Sequence, residues 1–332
     1  MSVYNAEAFV KEAVESILQQ TFTQFEFIII DDGCTDNTIK IIDSFTDKRI
    51  CLYRNETNLG LIKSLNKALS KAKGEFIARM DADDIALPGR LECQLDFMSR
   101  NNSIGVCGTA AGYIGSENIQ FNYPTNHNAI KLSMLYQNPI VHSTAMWRRE
   151  VFEKNSLWYD DNFPGAEDYE LWSRTIFYTE FANLKTPLLL YRLHYEQVTK
   201  AKADLVKKSS GLIKLNYLKS VGLVPDAEEE RLHLFLFNAE YAEMRMPSII
   251  PLADEWMNKI FLSCNNLLEN NTDDFFELWK TKLFVNCIKQ YDLNVWKKMC
   301  RTIIYQSPHV GFSYRLKFFI KCLLRKKVGS AA

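Results

Sequence analysis

A chain of 332 residues with 47% apolar side chains can build one full-sized domain and a smaller second one, and is globular rather than disordered. Its 40 basic and 40 acidic side chains cancel, which excludes nucleic acid as the main partner on electrostatic grounds and leaves any basic character local. Eight cysteines without CxxC pairs or metal-type spacing, and no cleavable signal before the first folded-looking segment, point to reduced thiols in a cytosolic protein. No run of about 18 uncharged apolar residues is present, which argues against a membrane span.

From residue 1 to about 195, short β-branched or aromatic runs alternate with amphipathic stretches, the pattern of an α/β layer fold. "MSVYN" reads as the end of a strand and "AEAFVKEAVESILQQ" as a helix with Ala8, Val14, Ile17 and Leu18 inward. "FEFIIIDDG" is a fully buried strand, "CTDNTIKIIDSF" a helix opened at Thr35 or Asp36, and "RICLYRN" a third strand. "LIKSLNKALSKAKG" is a helix with a glycine stop, followed by a fourth strand in "EFIARMDADD". Repeated β-α-β units imply parallel neighbours. Only Met1 to Val3 precede the Tyr4-Asn5 turn, short for a buried strand, so a start inside the strand or a shortened chain is expected. Beyond about residue 200 the periodicity is helical, through "LHLFLFNAEYAEMRM" and "DDFFELWKTKLFVNCIKQY", with a boundary near Ala203: residues 1–203 form the α/β domain and 204–332 a helical C-terminal region.

Three strand ends carry polar groups: Tyr4-Asn5, Asp31-Asp32-Gly33 and Asp81-Ala82-Asp83-Asp84. Residues i and i+2 of a strand share a face, so Asp81 and Asp83 address one site, and two carboxylates that close repel unless a divalent cation or a hydroxyl-rich ligand sits between them. Open α/β sheets bind ligands beyond the carboxyl ends of their strands. Helix and turn capping accounts for one aspartate, Asp84 above all, but not for the whole set. A dinucleotide-binding oxidoreductase fits poorly, because no GxGxxG follows the first strand.

The order "SVYNAEAFVKEAVESILQQTFTQFEFIIIDDGCTDNT", "NETNLGLIKSLNKAL", "KGEFIARMDADDIALPGRLECQLDFM", "AEDYELWSR" resembles the family 2 glycosyltransferases, inverting enzymes of the GT-A fold. Among them it looks most like the bacterial enzymes of exopolysaccharide, capsule and O-antigen synthesis, such as the amylovoran type. The resemblance covers residues 1 to 200 and implies a Rossmann-like, mostly parallel sheet flanked by helices. It also implies a metal-dependent transfer of a hexose or N-acetylhexosamine from a UDP-sugar to a saccharide acceptor. Carried over residue by residue, Tyr4, Asn5, Glu7 and Asp32 hold the nucleotide base, with Asp32 accepting from uracil N3–H. Asn58 and Gly60 lie beside the ribose, glycine permitting close backbone approach. Asp81 and Asp83 match the DxD motif that holds the ribose and a Mn²⁺ or Mg²⁺. His194 closes the metal site or is a structural histidine, and Arg192 reaches the diphosphate.

Asp168 aligns with the family's base, though it also suits a helix N-terminus. On the acceptor side stand His142, equally a turn histidine, and Trp172, which either stacks on a sugar or belongs to the core. Two departures from the family pattern are Cys34 for the serine of DDGS, expected only to line the turn, and Ser143 where proline is usual. After Asp292 no acidic residue follows, and residues 312–327 form a basic amphipathic stretch that suits either the cytoplasmic face of the inner membrane, where lipid-linked acceptors reside, or a helix packed on the domain. The competing expectation is a non-catalytic relative that binds nucleotide sugar within an assembly complex.

Overall fold

The computed structural model describes residues 1–121, 123–194, 203–238, 246–263, 297–302, 306 and 315. The chain divides into two compact units, Met1–Met134 with Asn138–Ile213, and Leu135–Gln137 with Lys214–Ala332.

In the first unit, β1 (Ser2–Val3), β2 (Phe27–Asp31) and β3 (Ile50–Arg54) form a parallel sheet in that order. The run Phe-Ile-Ile-Ile of β2 carries no polar alternation because Phe27, Ile29 and Ile30 are all buried. Helices α1 (Val10–Leu18) and α2 (Thr38–Asp43) share a core with this sheet through Val3, Val10, Val14, Ile17, Ile29 and Ile42, while α3 (Leu61–Lys71) buries Ile62 and Leu65. The inward face of α1 is Val10, Ala13, Val14 and Ile17. The helix starts at Val10, so Ala8, expected inward, stays exposed and Leu18 is only half-buried.

The second sheet holds β4 (Phe76–Ala78), β5 (Ile85–Ala86), β6 (Ile104–Tyr113), β7 (Ser116–Phe121), β8 (Met146–Arg148) and β9 (Glu180–Tyr191), ordered β4-β8-β6-β9-β5 with β7 on β6. Here β6 and β9 run parallel, whereas β4–β8, β6–β8, β5–β9 and β6–β7 are antiparallel. The α/β layer class is as the sequence predicts, and parallel pairing holds for the first three strands. It fails at β4, which α3 delivers to the second sheet, where its hydrogen-bonded neighbour is the antiparallel β8. Helices α4 (Arg90–Arg100), α5 (His127–Ser133), α6 (Arg149–Lys154) and α7 (Glu167–Thr175) complete this unit.

The helices that follow are α8 (Ala203–Ser220), α9 (Ala227–Asn238) and α10 (Met246–Ser263). The division between the two compact units falls inside α8, at Ile213/Lys214. Within the second unit the buried His233 has Nε2 2.9 Å from the Leu135 carbonyl and accepts Trp256 Nε1–H at Nδ1 (3.3 Å). Burial lowers its pKa to about 3, so it is a neutral core histidine. Residues 273–291, and the 312–327 stretch apart from Arg315, lie outside the described residues. Among the described residues no helix is long and apolar enough to cross a membrane.

Candidate active site

The carboxyl ends of β1, β2 and β4 open onto one cleft of about 850 Å³. Its lining includes Tyr4, Asn5, Phe9, Asp32, Asn58, Gly60, Asp81, Asp83, Glu167 and His194, so most of the residues expected from sequence are brought together.

At the end of β2, Asp32 is buried and both its oxygens are engaged. Oδ1 accepts from Asn55 Nδ2 (2.8 Å) and the Leu59 amide (2.9 Å), and Oδ2 accepts from the Gly60 amide (3.0 Å). Asp32 thus anchors the 58–60 loop against the sheet while it lines the cleft, and its Oδ2, with one donor, keeps an accepting position. Gly60 lines the cleft at φ 92°, a backbone dihedral that calls for glycine, with no protein atom within 4 Å of an added Cβ. Gly33 is the crowded one: at φ 78°, an added Cβ would lie 2.7 Å from Asn58 N and 2.8 Å from Thr57 C. Gly33→Ala is expected to destabilise the protein by about 2 kcal/mol or more and to displace the 57–60 loop, measured by urea unfolding and nucleotide affinity.

At the end of β1, Tyr4 is exposed and Asn5, at φ 46°, accepts the Thr35 amide at Oδ1 (2.9 Å). Glu7 accepts Asn37 N–H (2.8 Å) and Nδ2 (2.9 Å), and it is not part of the cleft lining. These bonds tie the β1 end to the start of α2. Cys34 Sγ receives the Asn5 amide at 3.4 Å, and burial, the largest cause, pushes its thiol up to about 12, so it lines the turn as a protonated group.

The acidic segment after β4 is fastened from several elements. Asp81, Asp83 and Asp84 bring one carboxylate oxygen each within 4.8 Å of one another. Asp81 is paired with the buried Arg79, whose Nη1 also donates to Ser143 Oγ (2.8 Å). Ser143 Oγ in turn lies 2.7 Å from Asp81 Oδ2 and 2.5 Å from Asp84 Oδ2. One hydroxyl proton cannot serve both carboxylates, so the second contact is satisfied when Asp84 is protonated. Burial first, then the charges of Asp81 and Asp83, push Asp84 up to about 7. Ser143, the departure from the family's proline, is thus the hub of this cluster. Asp84 also accepts the Arg192 amide (3.0 Å), which makes it the turn support expected of it.

Asp83 and His194 meet at 2.9 Å, and the His194 ring packs on Phe9 with centroids 4.8 Å apart. Burial and the Asp81 charge raise the Asp83 pKa, as two carboxylates sharing one cleft require. Arg192 donates from Nε to the Asp83 carbonyl (2.7 Å), is paired with Glu12 and lies over the Phe9 ring. It is not part of the cleft lining, and these contacts fasten it to the acidic loop and α1. Phe9, which supports both His194 and Arg192, was invisible in the sequence beyond being one more apolar helix residue. The donor set at the mouth of the cleft, two carboxylates and an imidazole, suits a hard divalent cation such as Mn²⁺ or Mg²⁺.

On the opposite wall, Glu167 and Asp168 open α7. Asp168 Oδ2 accepts from Asn138 Nδ2 (2.7 Å), and burial, the largest cause, raises its pKa. Glu167 is the member that lines the cleft; its Oε2 is buried without a hydrogen-bond partner, and burial followed by the Asp168 charge pushes it up to about 7. The sequence alone gives Glu167 no role beyond the helix start; two adjacent acids there are the available signal. His142 bonds Tyr159 OH through Nε2 (2.7 Å), and burial then Arg79 hold its pKa well below the ordinary value, leaving a neutral ring. Trp172 is fully buried among Trp147, Phe152 and Phe181, with centroids 5.6 to 6.3 Å apart. It belongs to the core and offers no face to an acceptor sugar.

The fold that carries this cleft, lined by Asp32, Asp81, Asp83 and Glu167, is the GT-A fold of glycosyltransferases. The fold is shared with S. aureus TarS 1–349, solved in complex with UDP-GlcNAc, at TM-score 0.58 and 17% identity over 99% of this chain and 90% of that one. The family model described as glycosyl transferase family 2 matches residues 1–156. The Escherichia coli O-antigen biosynthesis glycosyltransferase WbnJ is 36% identical over 60% of this chain and 81% of its own. The Escherichia coli UDP-Glc:alpha-D-GlcNAc-diphosphoundecaprenol beta-1,3-glucosyltransferase WfgD is 40% identical over 31% of this chain and 40% of its own. The chain belongs to glycosyltransferase family 2.

Proposed function

We propose that the protein is an inverting, metal-dependent transferase that moves a hexose or N-acetylhexosamine from a UDP-sugar to a saccharide acceptor, with the acceptor carried on a lipid, in cell-surface polysaccharide synthesis. The observation that carries this reading is that Asp81, Asp83 and His194 line one cleft with Glu167, whose neighbour Asp168 opens the same helix. TarS, solved with UDP-GlcNAc, and WfgD, named for UDP-Glc and a diphosphoundecaprenol-linked acceptor, support the donor and carrier classes.

In this reading Asp81, Asp83 and His194 would hold Mn²⁺ or Mg²⁺. A bound cation there would act as a Lewis acid, offsetting the charge of the departing diphosphate. Tyr4, Asn5 and the 58–60 loop bind the nucleoside, the loop being set by Asp32. Asp168 takes the proton of the acceptor hydroxyl, the freed oxygen attacks the anomeric carbon, and the bond from that carbon to the diphosphate oxygen breaks on the opposite face, releasing UDP. One displacement inverts the anomeric centre, so an α-linked donor gives a β-linked product, and no covalent enzyme intermediate is needed. The Asn138 bond keeps Asp168 oriented, and its raised pKa makes it a stronger base than an exposed aspartate. The protein works on the cytoplasmic side, peripherally on the inner membrane, with residues 312–327 as the membrane-facing stretch. The test is turnover of UDP-sugars with assignment of the product's anomeric configuration; a β-linked product supports the reading and an α-linked one contradicts it.

A further inference from the structure

The chain leaves α5 through a short strap, Met134 to Pro139, that is held along its length. The Met134 carbonyl accepts from the Tyr169 hydroxyl, and Asn138 donates from Nδ2 to Asp168 Oδ2 (2.7 Å). Both partners stand in the first turn of α7, so these two contacts flank the proposed base. At the far end the Pro139 ring fixes φ, and the Pro139 carbonyl accepts from Asn183 Nδ2 (3.0 Å) on β9. The middle of the strap is held differently. Leu135–Gln137 belong to the compact unit of Lys214–Ala332, whereas Met134 and Asn138 belong to the other. Within the helical unit the Leu135 carbonyl accepts from His233 Nε2 (2.9 Å), and the Tyr136 ring packs on Phe237 with centroids 5.9 Å apart.

His233, on α9, is fitted to that one bond. A carbonyl can only accept, so the ring proton sits on Nε2, and Nδ1 is left to accept Trp256 Nε1–H (3.3 Å). The ring is fully buried, with the Phe237 and Trp256 centroids 4.7 and 5.9 Å from its own, so packing fixes its plane. We propose that His233 is a positioning residue for Asp168: by pinning the Leu135 carbonyl it fixes the strap between the Tyr169 and Asn138 contacts and so sets the direction of the Asp168 carboxylate. The link is covalent, running along the backbone from Leu135 to Asn138. The inference rests on Asp168 being the base. It gives the helical unit a part in the transfer reaction through the backbone it holds.

The experiment measures kcat and donor KM for UDP-sugar turnover, and the solvent exchange of the Asn138 side-chain amide by NMR, in the full chain, His233→Leu and His233→Gln. Leucine fills the space but donates nothing; glutamine supplies an N–H for Leu135 and an oxygen for Trp256. The expected result for His233→Leu is a kcat lower by about 10- to 100-fold, a donor KM within about twofold of wild type, and faster exchange at Asn138. His233→Gln is expected to recover kcat to within about threefold and to restore the slow exchange. Trp256→Phe, which keeps the imidazole but removes the donor to its Nδ1, shows the same split in smaller measure and serves where His233→Leu does not fold. The Asn138 exchange needs no turnover, and Asp168→Asn is run alongside. An unimpaired Asp168→Asn would therefore remove the base on its own, distinct from a failure of the strap. Unchanged Asn138 exchange in the folded variant, or kcat falling equally in His233→Leu and His233→Gln, would overturn the proposal.

Discussion

Replacing Asp168 by asparagine is expected to lower kcat for sugar transfer by about 10³, within the range that general-base catalysis contributes, with little change in donor affinity. Asparagine keeps the size and the hydrogen-bonding partner Asn138 of the native side chain but cannot take a proton. The pH profile separates this role from a merely structural one. Burial raises the Asp168 pKa, so the base is lost as pH falls through a value above the ordinary aspartate range near 3.9, and the wild-type rate falls on that acid limb. The residual activity of Asp168→Asn has no such limb. Glu167→Gln is the control on the same helix turn. With Glu167 carrying a proton for much of its time near neutrality, its amide substitute leaves most of the rate intact. A thousandfold loss in Glu167→Gln and a small one in Asp168→Asn would transfer the role of base to Glu167.

Asp83→Ala removes one of the two half-exposed carboxylates at the cleft mouth and the partner of His194. It is expected to abolish Mn²⁺ binding in calorimetry and to reduce turnover by about 10³, the equivalent of several kcal/mol of leaving-group stabilisation. Asp84→Asn, in contrast, touches a buried carboxyl held by Ser143 and the Arg192 amide. Retained Mn²⁺ binding by Asp83→Ala, with the protein folded, would remove Asp83 from the metal site.

The sequence carried the strand ends well, because polar groups closing apolar strands mark the ligand side of an open sheet: Asp32 and Asp81-Ala82-Asp83 stand on the cleft where that geometry puts them. It carried Asp84 as a turn support for the same reason. What it could not carry was which donors reach a given carboxylate. The engagement of Asp32 by Asn55, Leu59 and Gly60 depends on a loop more than twenty residues away folding back over β2. The same limit applies to Arg192, whose partner Glu12 sits on α1, and to Trp172, whose burial is set by Trp147, Phe152 and Phe181 from three other elements. The antiparallel placement of β4 beside β8 was hidden because local periodicity says where a strand is, not which way its neighbour runs.

The account rests on a UDP-sugar being turned over in the cleft lined by Asp83, with Asp168 beside it as the base. UDP release, with Mn²⁺ present and a lipid-linked saccharide supplied, measured across a panel of UDP-sugars for the wild type, Asp83→Ala and Asp168→Asn, tests it most directly. The expected result is release from one donor by the wild type, reduced about a thousandfold by each substitution. Release that survives both substitutions, or none from any donor with a folded and Mn²⁺-competent wild type, would contradict it.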